Sequence, residues 1–198
     1  MNFAERGLMR MALRFIPKKL RHSYYRKSAT KAFRQPGDVV FKLASTQSEI
    51  DKAFRLIYQV QLGKKLVQPH SAEMKLSKTH ALPTTKMLIA VQNQQVVSAM
   101  CLTLEGPFRT ACEEHFDLNP LKKNERCFIE VSSFVVDPKC EEDFRSFLFP
   151  LCKLTLELNK IFFKADFFVT AIPADDFDYW HSLFLFDKFS EKTVKFQD

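Results

Sequence analysis

From residue 39 onward the spacing of apolar positions changes several times along the chain, and each change marks an element. Val39 to Leu43 is a short apolar run that predicts a strand. Ser45 or Thr46, with Ser48-Glu49 behind it, marks a helix start. Ile50, Phe54, Ile57, Tyr58 and Gln61 then fall on neighbouring turns to about Leu62, and Gly63 is the expected stop. Residues 64–83 are polar, contain Pro69 and Pro83, and read as a loop with room for a short helix. Lys86 to Val91 and Val96 to Leu104 are apolar strands around the turn Gln92-Asn93-Gln94-Gln95, a hairpin. Residues 107–124 read as irregular, with a short helix around Ala111 to Phe116. Cys127 to Val136 predicts a further strand, stopped by Asp137-Pro138. A long helix is expected from about Glu141 to Phe163, with Glu141, Glu142 and Asp143 at its favourable N-terminal end. Pro150 should kink or restart it. Lys164 to Ile172 then predicts a buried strand, Asp175 to Phe186 a helix, and Lys192 to Phe196 a last strand.

The resulting order is strand, helix, loop, hairpin, strand, long helix, strand, helix, strand. It is not a repeating βαβ pattern. It predicts an α/β (α+β) fold with a mixed central sheet and helices on both faces. Ahead of it, residues 3–16 predict an amphipathic helix, with Arg6, Arg10 and Arg14 in one stripe opposite Leu8, Met9, Met11, Phe15 and Ile16. Pro17 interrupts that helix, and Gln35-Pro36-Gly37-Asp38 closes the segment as a turn. Two units follow: a basic amphipathic segment, 1–38, and a domain, 39–198.

Charge sharpens this division. The chain carries +7 overall, but residues 1–38 hold ten Lys/Arg against Glu5 and Asp38, a net of +8. The other 160 residues hold 20 basic and 21 acidic side chains. The domain is therefore not a basic body, and no nucleic-acid partner is expected. Residues 1–34 are the candidate contact with an anionic membrane surface or an acidic protein, the bland alternative being a cover on the domain or a disordered arm. A transit peptide would have similar composition. No apolar run is long enough to predict a transmembrane helix.

Glycine is scarce. Gly7, Gly37, Gly63 and Gly106 are the only four, so the last 92 residues have none. Phosphate loops and dinucleotide fingerprints need clustered glycines, which argues against both classes. The five cysteines (Cys101, Cys112, Cys127, Cys140, Cys152) are odd in number and irregularly spaced, and they read as reduced core residues of a cytoplasmic protein. Cys112 and His115 lack a second pair, so no metal is expected. Sixteen of the 21 phenylalanines lie after residue 100, most as core and a few as candidates to line an acyl tunnel.

The order of elements is similar to that of the Gcn5-related N-acetyltransferase (GNAT) fold. His80-Ala81-Leu82-Pro83-Thr84-Thr85, ahead of Lys86 to Ala90, resembles the Leu-Pro-Thr-Thr segment of the FeeM-type N-acyl amino acid synthases. Phe128-Ile129-Glu130-Val131-Ser132-Ser133-Phe134-Val135-Val136-Asp137-Pro138 resembles their Glu-Val-Ser…Val-Asp-Pro strand. Arg55-Leu56-Ile57-Tyr58 is similar to their Arg-Leu-x-Tyr, and Ile172-Pro173 with Tyr179-Trp180 and Leu183-Phe184 to their Pro…Phe-Tyr…Leu. The resemblance spans about residues 39–190 and implies transfer of a fatty acyl group from acyl carrier protein to the amine of an amino acid or similar small amine. It also implies substrate contacts at Arg55, Tyr58, Thr84, Thr85, Ser132, Ser133 and Phe134. The related acyl-homoserine-lactone synthases are the alternative, disfavoured because they carry Arg where Ser133 stands and an acidic pair that residues 63–80 lack. A second alternative is a catalytically silent, lipid- or membrane-binding domain of the same fold.

Acetyl-CoA enzymes of this fold place a glycine-rich loop after the Glu130-type strand to hold the pyrophosphate. Here the stretch is Asp137-Pro138-Lys139-Cys140-Glu141-Glu142-Asp143, without glycine and with three consecutive acids. Those carboxylates would repel a diphosphate. The expected donor is thus the acyl-phosphopantetheine of acyl carrier protein rather than acyl-CoA, with no bound cofactor. The expected location is cytoplasmic, with residues 1–34 the candidate contact with the inner membrane face. Amide formation from a thioester needs a base, an oxyanion donor and a proton for the leaving thiolate. Glu130, an acid in an apolar strand, is the candidate base; the competing reading pairs it structurally with a cation such as Arg55. Ser132, Ser133 and Phe134 would offer a backbone N–H to the oxyanion if the strand bulges there. Tyr179 is the candidate acid, the competing reading being packing. Ser132 as a nucleophile is disfavoured, because no histidine neighbours it in sequence, although His80, His115 and His181 could approach in space.

Overall fold

The computed structural model describes residues 16–31 and 37–194. Helix α1, Lys18–Lys31, comes first, followed by strand β1, Val39–Leu43. The amphipathic helix expected over 3–16 lies outside the described residues, apart from Ile16. Helix α2, Gln47–Gly63, is capped by Thr46, whose side chain accepts the Glu49 N–H. Gly63 does not supply its left-handed stop; Lys65 does, with φ 57°. The hairpin consists of β2, Thr85–Gln92, and β3, Gln95–Leu104. Its turn residues Asn93 and Gln94 both have positive φ, which matches the right-handed twist of the strands they join.

Short helix α3, Ala111–His115, precedes β4, Phe128–Val136. The expected long helix is a composite: a 3-10 turn over Pro138–Asp143, α4 over Phe144–Leu158, and a π-helical turn over Asn159–Phe163. Pro150 sits inside α4 without restarting it. The proline forfeits one backbone bond, and buried Phe147, Leu148, Leu151 and Thr155 hold the helix to the sheet regardless.

Two strand expectations need correction. The strand expected over Lys164 to Ile172 is only three residues, β5, Phe167–Val169. Asn159 explains its late start: its amide both donates to the Ala165 carbonyl and accepts the Ala165 N–H, which diverts that backbone from a ladder. The strand expected over Lys192 to Phe196 is absent from its described part, since residues 192–194 are irregular. The last helix, α5, is Phe177–Phe184, shorter at both ends than expected and preceded by a 3-10 turn.

The five strands form one mixed sheet in the order β1-β2-β3-β4-β5, parallel only between β4 and β5. Helix α2 covers one face, where Phe54, Ile57 and Val60 pack with Met87, Ile89, Ala99 and Cys101. Helix α4 covers the other, where Leu148, Leu151 and Leu158 pack with Leu88, Met100, Leu102 and Ile129. Among the described residues no helix is long and apolar enough to cross a membrane.

Candidate active site

Strand β4 has two irregularities, and they define the site. The first is a bulge. Ala99 pairs with Val135 and Cys101 with Ser132, so a single residue of β3 faces two of β4, Ser133 and Phe134. Ser133 is the one in the left-handed region, with φ 53°. The bulge shifts the alternation by one residue. Ser132 and Val135, three apart, therefore share the α2 face, and Phe134 packs on the α4 face. The second irregularity is the seam with β5. It pairs over Phe128–Phe167, Ile129–Phe168 and Glu130–Val169, and no pairing follows among the described residues. The two strands part at Glu130.

Glu130 lies at this fork, only 4% exposed. The register places Thr85, Thr103, Glu130 and Val169 in one row across four strands, on the face that α2 covers. The Thr85 and Thr103 hydroxyls lie 3.2 Å apart, and Thr85 donates to the Thr79 carbonyl at 2.6 Å. The Cys112 N–H, at the start of α3, donates to Glu130 Oε2 at 2.7 Å. Thr110 and Glu113 fix α3 through a reciprocal capping box, so that N–H is held in place. Lys122 bridges Glu105 at 2.8 Å and Glu113 at 2.6 Å, and lies over the Phe128 ring. Burial opposes its charge, but the hydrogen bonds to the two carboxylates outweigh this and hold its ammonium above the usual range.

The thiols around Glu130 are not poised as nucleophiles. Burial, then the charge of Glu130 and a hydrogen bond to it, push the Cys112 thiol well above its ordinary range. Burial pushes Cys101 up to about 11, only partly offset by hydrogen bonds with Thr103 and Ser132. Both stay protonated near neutral pH. All five cysteines are free, and among the described residues no three His, Cys, Asp or Glu side chains cluster as a metal would require.

The other expected site residues divide into three groups. Thr85 and Ser132 join Glu130 on one face. Thr84 lies just before β2, where its carbonyl accepts the Leu104 N–H. Phe134 and Tyr179 belong to the opposite face, where Phe134 packs on the α4 core and Tyr179 packs against Tyr25 beside Phe144 and Trp180. Arg145 lies over the Tyr179 ring. Among the described contacts no hydrogen bond or ion pair joins Arg55 or Tyr58 to Glu130. Arg55 is exposed on α2, which removes the structural Arg55–Glu130 pair as an explanation of the buried acid. Tyr58 is buried and accepts the His70 N–H at 2.9 Å, clasping the loop after α2. A polar cleft of about 340 Å³ opens beside α3, lined by Arg109, Glu113, His115 and Asn119 among others, and by no residue of the Glu130 row.

Sequence reasoning missed Thr103 and the Cys112 amide. Thr103 was visible as a polar residue in an otherwise apolar strand; no sequence signal points to a backbone N–H.

The loop after α2 also carries a titration. His80 packs against the Phe54 ring in a tilted arrangement and accepts the Ser77 N–H through Nδ1. Burial, then the charge of Lys75, lower its pKa from 6.5 to about 4, against the pull of a hydrogen bond with the Lys75 backbone. The unfolded chain therefore takes up this proton first as pH falls. The stability tied to neutral His80 is complete above 6.5 and is lost as the pH drops towards about 4. Urea midpoints measured across this window will fall with pH, and His80→Gln will flatten that slope.

The fold has solved counterparts. The FeeM N-acyl amino acid synthase from uncultured soil microbes superposes with a TM-score of 0.60 at 12% identity, over 72% of this chain and 77% of that one. A predicted acetyltransferase from Clostridium acetobutylicum, solved with acetyl-CoA, gives 0.53 at 10% identity, over 79% and 95%. Glucosamine-6-phosphate N-acetyltransferase from Arabidopsis thaliana gives 0.52 at 10% identity, over 80% and 99%. At these identities the likeness is one of fold, and it is the GNAT fold. Comparison with curated protein sequences finds no match. The family profile described as N-acyl amino acid synthase FeeM matches residues 52–195, a span that holds β2 to β5 and Glu130. This chain, an acyltransferase of GNAT fold, belongs to the FeeM N-acyl amino acid synthase family.

Proposed function

We propose that the protein transfers a fatty acyl group from the phosphopantetheine thioester of acyl carrier protein to the amine of an amino acid or similar small amine. The observation that carries this reading is the fork in β4, where a buried carboxylate, a bulge and an open strand edge meet within four residues. The acceptor approaches from the α2 face, along the Thr85–Thr103–Glu130 row. Glu130 takes a proton from the attacking amine, directly or through a water. The backbone N–H groups at the Ser133–Phe134 bulge hold the oxyanion of the tetrahedral intermediate. The C–N bond forms, the C–S bond breaks, and the pantetheine thiolate leaves and takes up a proton from solvent, since Tyr179 packs on the opposite face of the sheet. The raised Cys101 and Cys112 thiols favour direct transfer over a thioester on the enzyme.

Two features favour the carrier-protein donor. The segment after β4 has no glycine. Its first amides are also engaged: the Lys139 N–H donates to the Asp137 carboxylate at 2.8 Å, and the Cys140 N–H to the Asp137 carbonyl at 2.7 Å. A diphosphate would compete for amides already used and would meet the acids that follow. The test is a donor competition. Purified protein is given long-chain acyl carrier protein or the same acyl-CoA, with mixed amino acids, and N-acyl products are followed by mass spectrometry. We expect kcat/KM at least about tenfold higher with the carrier-protein donor, about 1.4 kcal/mol of transition-state preference. Equal or better use of acyl-CoA overturns the donor assignment. No amide from either donor overturns the activity and leaves a silent domain.

A further inference from the structure

We infer that Lys122 is a positioning residue: by bridging Glu105 and Glu113 it holds the Cys112 amide of α3 against Glu130, and turnover depends on it through that contact. The inference rests on the acyl-transfer reading in which Glu130 is the base. The chain leaves the sheet after Leu104 and returns at Phe128, two residues before Glu130. Its regular structure in between is the five-residue α3 and a kinked 3-10 stretch over Asn119–Glu125. A helix that short does not hold itself together in water. Yet it supplies the Cys112 N–H, 2.7 Å from Glu130 Oε2, and the Cys112 thiol bonds the same side chain. Contacts from outside α3 have to keep it aligned.

The capping box of Thr110 and Glu113 serves the helix's own amides and does not tie it to the sheet. The packing of Cys112 and Leu118 with Phe128 is apolar, and such contact is non-directional. Lys192 reaches the His115 carbonyl at the far end of α3, from an exposed position. Direction comes from the ion pairs. Lys122 Nζ meets Glu113 Oε1 at 2.6 Å and Glu105 Oε2 at 2.8 Å, and all three side chains are mostly buried. Glu113 uses its other oxygen, Oε2, to accept the Thr110 N–H at 2.9 Å, so its carboxylate joins the helix cap to the bridge. Glu105 belongs to the sheet, because its N–H donates to the Phe128 carbonyl at 3.1 Å. Lys122 therefore links the cap of α3 to the strands around Glu130.

The bridge also offsets charge. The charges of Glu130 and Glu113 both act on the Cys112 thiol, so the two carboxylates share one small region. Cys101 of β3 faces Glu130 as a neutral thiol and brings no counter-charge. Like charges in a partly buried region repel, which would drive α3 off Glu130 and favour protonation of a group that has to act as base. One ammonium shared by Glu105 and Glu113 counters that repulsion. An arginine fork has N–H donors enough to span the same two carboxylates, and a neutral apolar side chain has none.

Amide exchange and kinetics on the full chain test this together. Isotopic labelling of the five cysteines lets NMR follow each amide. Cys112 reads the contact with Glu130, while Cys101 and Cys152, inside β3 and α4, read opening of the whole fold. Lys122→Met should speed exchange at Cys112 by about tenfold or more, and by more than at the other two. Its kcat should fall by about tenfold or more with donor KM little changed. Lys122→Arg should restore both readouts to within about threefold of wild type. In a Glu130→Gln background, Lys122→Met should cost less than about a further twofold, because it acts through that carboxylate. If Lys122→Met does not fold, Glu105→Gln, which keeps the arm to Glu113, should show the same pattern in weaker form. The inference is overturned if Cys112 exchange is unchanged, if Cys101 and Cys152 speed up as much, or if the kcat loss persists in the Glu130→Gln background. Near-wild-type turnover of Glu130→Gln overturns the base assignment and with it the kinetic half of the inference. The exchange rates then still decide whether Lys122 holds α3.

Discussion

Glu130→Gln should slow acyl transfer by about 10²- to 10⁴-fold in kcat, the range expected when a positioned general base is removed. The substitution is close to isosteric. Glutamine retains an oxygen to accept the Cys112 N–H, so α3 stays in place and the row with Thr103 and Thr85 keeps its geometry. The urea midpoint should therefore change little while turnover collapses, and donor KM should be nearly unaffected, because the base acts on the amine. Steady-state kinetics with varied donor and acceptor provide the check. A variant that keeps turnover within a few-fold of wild type would falsify Glu130 as the base and return it to a structural role under α3.

Phe128→Ala should have the largest effect on stability. The Phe128 ring is fully buried, packs with Cys112 and Leu118, and lies beneath the Lys122 ammonium. Removing it creates a cavity under α3 at a cost of about 3–5 kcal/mol. A domain of this kind has roughly 5–15 kcal/mol in total, so the variant approaches the margin of folding at room temperature. The expected readout is a large drop in urea midpoint at unchanged slope. A loss below about 1 kcal/mol would mean that the segment from 105 to 127 repacks to fill the space, and that α3 is not a rigid support for Glu130.

Much of the architecture was legible because short-range rules agreed with the tertiary fold. Thr46 was readable as a cap because its side chain has an amide to serve three residues on. The hairpin was readable because two apolar runs flank a four-residue polar turn. The bulge was conceivable from the Ser132-Ser133 pair but not fixed by it, because a bulge is a mismatch between two strands and no single strand encodes it. Glycine misled. Nine described non-glycine residues, Leu185 among them, take positive φ, and no described glycine does. The short β5 was hidden for a similar reason: the Asn159 clasp that delays it lies on the preceding helical turn, and hydropathy carries no trace of it. Tyr58 sits in the segment that resembles a family motif, and its hydroxyl accepts the His70 N–H, a loop contact that no local pattern announces.

The parting of β4 and β5 has a consequence for how a donor is read. In a strand, successive peptide groups point alternately to the two neighbours. Beyond Glu130 one set of β4 amides and carbonyls is engaged with β3, while the set turned towards β5 has no strand partner among the described residues. Pantetheine is itself a chain with two amide bonds. Laid in the gap, it would be recognised as a short peptide strand is, by backbone pairing that ignores what is attached at either end. Such a slot would select for the arm's length and amide spacing, and would leave acyl-chain preference to the apolar side chains and carrier identity to the surface outside it.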